Sequence, residues 1–250
     1  MINPIETTES VRDSYLRYLR SNYPFQDTDL RDAFQQAIAA PEALVKGPIL
    51  ESTPPFKTGG SIARFVDDRV LNENFESLCS SEMPYERPFY LHQEEAIRKV
   101  VSEERNLVVA TGTGSGKTEA FLVPIFNHLL NERDNGTLSE PGVRALLLYP
   151  MNALVNDQLK RLRGILEDRD VPITFGRYTG ETKHEREDAE AAFRSQFPDE
   201  PIIENELLCR NEMRDTPPHI LVTNYAMLEY LLLRPEDHIF FENQADTWKF

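Results

Sequence analysis

Cysteine is scarce in this 250-residue sequence: Cys79 and Cys209 stand far apart, and neither has a C-x-x-C partner. That excludes a disulfide framework and a thiolate zinc site, leaving two incidental or buried thiols. Basic charge is scarce too, with 27 Lys and Arg against 42 Asp and Glu and a formal charge of −15. A surface that holds nucleic acid by bulk electrostatics is thereby excluded, so any such contact must come from local sites. No apolar run approaches the length of a membrane span, and the N-terminus MINPIETTES lacks the basic and apolar segments of a signal peptide. These absences place the protein in the cytoplasm, with no membrane partner. No tract is dominated by Gly or Ser, and hydrophobic residues make up 40% of the chain, which excludes a wholly disordered protein.

What is present changes character along the chain. Residues 9–40 predict two helices, with Val11, Tyr15, Leu16 and Leu19 at helical spacing in the first and Leu30, Phe34 and Ile38 in the second, before Pro41. The Pro- and Gly-rich stretch from Lys46 to Gly60 reads as an extended connector, and VLNENFESL as a short helical patch. From about residue 85 an alternation begins: helix HQEEAIRKVV, strand NLVVA, a glycine-rich loop, helix EAFLVPIFNHLL, strand RALLLYP, helix NALVNDQLKRLRGIL and strand PITFGRY. An acidic insertion at 181–217 precedes strand HILVT and helix NYAMLEYLLL. Strands alternating with helices predict an α/β fold, a parallel sheet flanked by helices on both faces. Two domains are expected: a helical N-terminal extension with its connector at 1–84, and a nucleotide-binding domain at 85–250.

The loop TGTGSGKT carries the strongest chemical signal. A phosphate cradle needs a strand, glycines that let backbone N–H groups turn inward, a Lys and a hydroxyl at a helix start. Residues Thr111, Gly112, Thr113, Gly114, Ser115 and Gly116 would form that cradle for ATP. Lys117 would reach the β- and γ-phosphates, and Thr118 would hold Mg²⁺. The strict P-loop pattern has Gly where this chain has Thr111.

That variant resembles motif I of the superfamily 2 DEAD/DEAH-box helicases, and three neighbouring stretches extend the resemblance. RPFYLHQEEAI resembles the Q-motif, with Gln93 standing 24 residues before Lys117. The resemblance implies that Gln93 reads adenine and that Phe89 or Tyr90 packs on the base. ALLLYPMNALVNDQLKRL resembles motif Ia, with Pro150, Asn152, Asn156 and Gln158 as candidate nucleic-acid contacts and KRLR adding local positive charge. GRYTGET resembles motif Ib, through Thr179 and Gly180, and HILVTNYAMLEYLLL resembles motif Ic, through Thr223 and Asn224. The wording is similar to that of large bacterial members, including DNA-repair and phage-defence enzymes. The implied fold is a RecA-like P-loop NTPase domain, and the implied activity is ATP-driven translocation on, or unwinding of, nucleic acid, DNA in preference to RNA.

One expected part is not found. Hydrolysis in this family needs an Asp for the Mg²⁺ shell and a Glu for the attacking water, at the end of an apolar strand after motif Ic. Glu94-Glu95-Ala96 lies on a helix before the loop, and Glu236-Asp237-His238 follows Pro235 at a helix end, so both imitate the letters only. Trp248 and Phe250 would begin the strand that leads to the acidic motif. The chain is therefore expected to be the N-terminal portion of a longer helicase, inactive as a fragment and completed by the remaining lobe. The N-terminal extension or the acidic insertion offers a surface for a protein partner. The alternatives are a non-catalytic nucleotide- and nucleic-acid-binding module and a small P-loop kinase, for which the acidic insertion makes a poor lid.

Overall fold

The computed structural model describes residues 3–40, 43–44, 55–112 and 114–242. Thr113, most of the connector, Trp248 and Phe250 lie outside the described residues. The chain divides into two compact units, Met1–Pro55 and Phe56–Phe250.

In the first unit, α1 (Pro4–Asn22) and α2 (Thr28–Ala39) pack on each other, as the apolar spacing predicts. Asn3 and Asp27 cap them by accepting hydrogen bonds from Ile5 N at 3.1 Å and Leu30 N at 2.8 Å. The Phe34 ring meets Tyr23 and Phe25.

The second unit starts with α3 (Ile62–Asp67), a 3₁₀ turn at Glu73–Leu78, α4 (Leu91–Val101) and α5 (Glu119–Asp134). The α/β part follows as β1 (Ala145–Tyr149), α6 (Asn152–Leu166), β2 (Phe175–Tyr178), α7 (Arg186–Gln196), β3 (Glu206–Leu207), α8 (Arg210–Asp215), β4 (Ile220–Asn224) and α9 (Tyr225–Leu233). A 3₁₀ turn at Pro235–Asp237 and α10 (Ile239–Glu242) close the described chain.

Among the described residues the four strands are all parallel, in the order β1-β4-β2-β3. Central β4 explains why. Its residues Ile220, Leu221, Val222 and Thr223 are all buried, which a strand covered on both faces requires. Ile220 and Val222 join a core with Leu147, Val155, Leu159 and Phe175. Leu221 faces the other way, toward Tyr178, Met213, Met227 and Leu231. Because the strands are parallel, the residues after β1, β2 and β4 emerge on one edge, with Tyr149 opposite Asn224 and Tyr178 opposite Thr223.

Two expectations need correction. Residues 106–110 were expected to form the strand before the phosphate loop, but no ladder holds them among the described residues, and Val108 is 96% exposed. Strand propensity is not enough without a neighbour to take up the backbone groups. A cavity of about 660 Å³, lined by Leu107 and Val109 and also by Tyr149 and Gln158, lies beside the segment. The acidic insertion, expected as a solvated helix with a loop, instead supplies α7, α8 and the edge strand β3. Its Glu206 binds Arg163 at 2.6 and 2.9 Å and its Glu200 does so at 2.7 Å, while Phe193 and Phe197 lie against the guanidinium. The KRLR run is accordingly no free basic patch at Arg163.

Removing one partner from a buried ion pair leaves an uncompensated charge, at a cost of about 3–5 kcal/mol. Arg163→Ala should lower the unfolding free energy by about that amount, measured by urea denaturation. A change near zero would show that Glu206 is solvated. His219 gives a pH prediction. Its Nδ1 accepts from Thr174 N at 2.9 Å and its Nε2 lies 2.8 Å from Leu138 O, so the neutral ring fits. Burial first, then the nearby Arg144, lowers its pKa below 6.5. The unfolded chain then binds the extra proton, so this contribution is present above about pH 6.5 and is lost as pH falls below it. His219→Asn should flatten the pH dependence of stability in that window.

Candidate nucleotide and nucleic-acid sites

The glycine-rich loop is braced from outside and closed from within. Gly114 and Gly116 have φ of +76° and +70°, a region that side chains disfavour. At Gly116 the surroundings also require glycine, because a Cβ there would lie 2.4 Å from Gln93 Nε2. The Thr111 hydroxyl lies 2.6 Å from that of buried Ser115, a cross-loop bond that glycine at 111 would lack. Lys117 Nζ donates to the carbonyls of Thr111 and Gly112, both at 2.8 Å, and so spans the cradle. The Thr118 hydroxyl makes no hydrogen bond among the described residues, which leaves it open to a ligand at the start of α5. Gly112 has open space around the position of a Cβ.

The segment before the loop forms the brace. Gln93 is buried; its Oε1 accepts from Tyr90 N at 2.7 Å, and its Nε2 donates to Gly116 O at 2.6 Å and Glu119 Oε2 at 3.2 Å. His92 Nε2 lies 2.8 Å from Ser115 O. Tyr90 is half-buried and its ring meets those of Phe56 and His92, whereas Phe89 is buried against Phe65 and is not available to a base. Sequence reasoning missed Glu119. Its Oε1 accepts from Arg87 and from Arg161 of α6, each at 2.8 Å. An acidic residue one position after the loop hydroxyl, in the first turn of a helix, was the signal available.

A second set of polar groups meets at the carboxyl edge of the sheet. Asn224 caps α9 through Met227 N at 2.7 Å and donates its amide to Asn152 Oδ1 at 2.7 Å. Asn152 donates to Glu181 Oε1 at 2.8 Å, and Arg177 donates to Asn156 Oδ1 at 2.9 Å and Glu181 Oε2 at 3.4 Å. Residues from the three strand-end stretches therefore form one network. Arg177 and Glu181 were not foreseen, although a charged residue inside the short strand GRY was a visible anomaly. Pro150 and Gly180 are exposed on the same edge.

Thr179 and Thr223 are buried. Thr223 donates to Tyr178 O at 2.6 Å, while Thr179 Oγ1 accepts from Glu181 N at 3.3 Å. From α8, Arg210 donates to the carbonyls of Thr179 and Thr182, each at 3.0 Å. These groups shape the loop from within. Gln158 is not brought to the network: it lines the cavity with Lys117, Thr118 and Tyr149, and its Oε1 is buried without a partner. The Glu236-Asp237 imitation is structural, since buried Asp237 accepts from Tyr178 Oη at 2.5 Å and from Arg214. Burial pushes the Cys79 thiol up to about 11, consistent with an unreactive thiol.

A parallel α/β sheet with a braced P-loop and a polar carboxyl edge defines a RecA-like nucleotide-binding domain. The chain belongs to the DEAD/DEAH box helicase family, whose sequence model matches residues 90–244; this is a family of ATP- and nucleic-acid-binding proteins. Druantia protein DruE of Escherichia coli (strain UMEA 4076-1) is 29% identical over 97% of this chain and 17% of its own length. ATP-dependent RNA helicase DBP7 of Meyerozyma guilliermondii is 35% identical over 39% of this chain and 12% of its own. The DUF1998 helicase MrfA, solved with DNA and AMPPNP, shares the fold with a TM-score of 0.50 and 23% identity over 76% of this chain and 21% of that one. The chain thus spans about a fifth or less of the length of these relatives. Among the described residues no helix is long and apolar enough to cross a membrane.

Gly116→Ala should strain the backbone by about 1–2 kcal/mol and displace Gln93. Isothermal titration with a non-hydrolysable ATP analogue should show lost affinity for Gly116→Ala and a smaller change for Gly112→Ala. Equal effects would contradict the bracing role of Gln93.

Proposed function

We propose that this chain supplies the ATP-binding and nucleic-acid-binding part of an ATP-dependent helicase of the large bacterial type, acting on DNA, with residues 85–250 forming part of its first RecA-like lobe and 1–84 an N-terminal extension. The observation that most supports this reading is the pairing of a braced phosphate loop with a network joining Asn152, Asn156, Arg177 and Asn224 across three strand ends. The residues present fit ATP and Mg²⁺. Gly114 and Gly116 hold the positive φ that a phosphate cradle's backbone needs, Lys117 is placed to leave its carbonyl partners for the β- and γ-phosphates, and the Thr118 hydroxyl suits Mg²⁺. Bound Mg²⁺ would supply neutralisation of the phosphate charge. Tyr90 offers the aromatic face for the base; a reading of adenine by Gln93 requires it to exchange its Glu119 contact.

On the carboxyl edge, Pro150, Asn152, Asn156, Thr179, Gly180, Thr223 and Asn224 present or shape contacts to backbone phosphates, which carry no base specificity. The MrfA structure contains DNA, which favours DNA, whereas the match to an RNA helicase spans a shorter part of the chain. The described residues include no acidic pair at a strand end to orient Mg²⁺ and water, so turnover by these 250 residues alone is expected to be negligible. In this reading, the remaining lobe of the parent protein completes the site, in the cytoplasm. Protein partners would dock on the N-terminal extension or on the exposed face of α7.

Fluorescence titrations of the chain with an ATP analogue, single-stranded DNA and single-stranded RNA test the proposal. Lys117→Ala should weaken the analogue on the order of tenfold to a hundredfold, leave DNA binding in place, and make no difference to a background level of hydrolysis. A small kinase would ignore DNA, and a binding module would bind without turnover even when joined to a second lobe. Robust DNA-stimulated hydrolysis by the wild-type chain, abolished by Lys117→Ala, would contradict the expected inactivity.

A further inference from the structure

We propose that Glu181 is an intramolecular stand-in for a nucleic-acid phosphate, and that Arg177 and Asn152 are the phosphate ligands it occupies until single-stranded DNA displaces it. The inference rests on the reading of the carboxyl edge as the nucleic-acid interface. Glu181 ends the turn after β2, and its two oxygens accept from different elements, Oε1 from Asn152 at the start of α6 and Oε2 from Arg177 of β2. A carboxylate and a phosphate diester both present two acceptor oxygens to such a donor pair. The side chain of Glu181 is 56% exposed, so it lies at the mouth of the network and leaves without unpacking anything. Arg177 is 21% exposed, and the Nη1 that meets Glu181 also donates to Asn156 at the shorter distance of 2.9 Å, so one bond remains to hold the guanidinium when the carboxylate departs.

Local charge favours the same exchange. The chain carries a net charge of −15, so its nucleic-acid edge depends on a few placed cations. Arg177 is the cation within the network described above, and Glu181 cancels it. The start of α6 adds a favourable end, since the helix opens at Asn152 itself and Met151 gives it no side-chain cap. An approaching phosphate therefore meets a neutral pair until Glu181 swings out, whereupon it gains one full positive charge, one amide donor and the helix end. The carboxylate acts as a gate that lowers resting affinity and makes binding competitive with an internal contact.

The test is fluorescence anisotropy of labelled single-stranded DNA with the full 250-residue chain, over a series of salt concentrations. Glu181→Gln keeps the size and an acceptor but removes the charge, and it should raise affinity roughly tenfold and steepen the log affinity versus log salt slope by roughly 0.7. Arg177→Ala should lower affinity and remove the gain when combined with Glu181→Gln, a non-additivity that a structural role would not give. Binding of an ATP analogue should be the same in wild type and Glu181→Gln, which reports an intact fold. If wild type binds DNA and Glu181→Gln binds it equally or less well with the same slope, the gate is overturned while the interface stands. If neither binds DNA, the nucleic-acid reading fails and the gate with it. Should Arg177→Ala fail to fold, the exposed Glu181→Gln variant still decides.

Discussion

A single buried carboxylate joins the parts of this domain. Glu119, in the first turn of α5, accepts from Arg87 ahead of the loop, from Gln93 of α4 and from Arg161 of α6. In a buried setting such a charge is tolerated only when it is paired and hydrogen-bonded, so the three donors must remain in register. The phosphate loop inherits that register. Gln93, fixed by Tyr90 and Glu119, has its amide against Gly116 O, and a side chain at that position would have to displace it. A displacement of α6 would therefore be felt at the loop through Arg161, a physical route between the glycine-rich loop and the helix that opens the polar edge of the sheet.

The parallel sheet supplies the second constraint. Parallel strands deliver their following loops to one edge, and here the turns after β1, β2 and β4 meet closely enough for asparagine side chains to bond between them. The insertion between β2 and β4 contributes from behind. Its Arg210 fixes the Thr179–Thr182 turn through two carbonyls, and its Glu206 locks Arg163 of α6. An element that reads as a polar interruption thus sets the positions of two of the three strand-end stretches.

The alternating helices and strands, and the arrival of the stretches holding Asn152 and Asn224 at one edge of the sheet, were legible because each depends on local pattern or on parallel topology. What was not legible depends on distant partners. KRLR reads as a solvated basic run, since the carboxylates that bury Arg163 lie 37 and 43 residues further along. NLVVA has the composition of a strand, yet whether it pairs is decided by a neighbour that composition does not reveal. Thr179 and Thr223 read as outward contacts, but their hydroxyls complete the turn and tie β4 to β2. Gln158 follows Asn156 by two residues in α6, about 200° round the helix, and so faces the cavity beside Lys117. The carboxylate of Glu181, which interrupts the expected phosphate surface, is visible only when the side chains are assembled.

The proposed function requires one domain to carry two separate sites, a nucleotide cradle at 111–118 and a nucleic-acid edge built from 150–156, 177–181 and 223–224. Hydrogen–deuterium exchange on the 250-residue chain tests it most directly, with a Mg²⁺-bound ATP analogue and single-stranded DNA added separately. The account predicts slowed exchange in the loop and the start of α5 with nucleotide, and in the three strand-end turns with DNA. Protection by DNA confined to α1, α2 or α7, or no protection of the loop by nucleotide at saturating concentration, would contradict it.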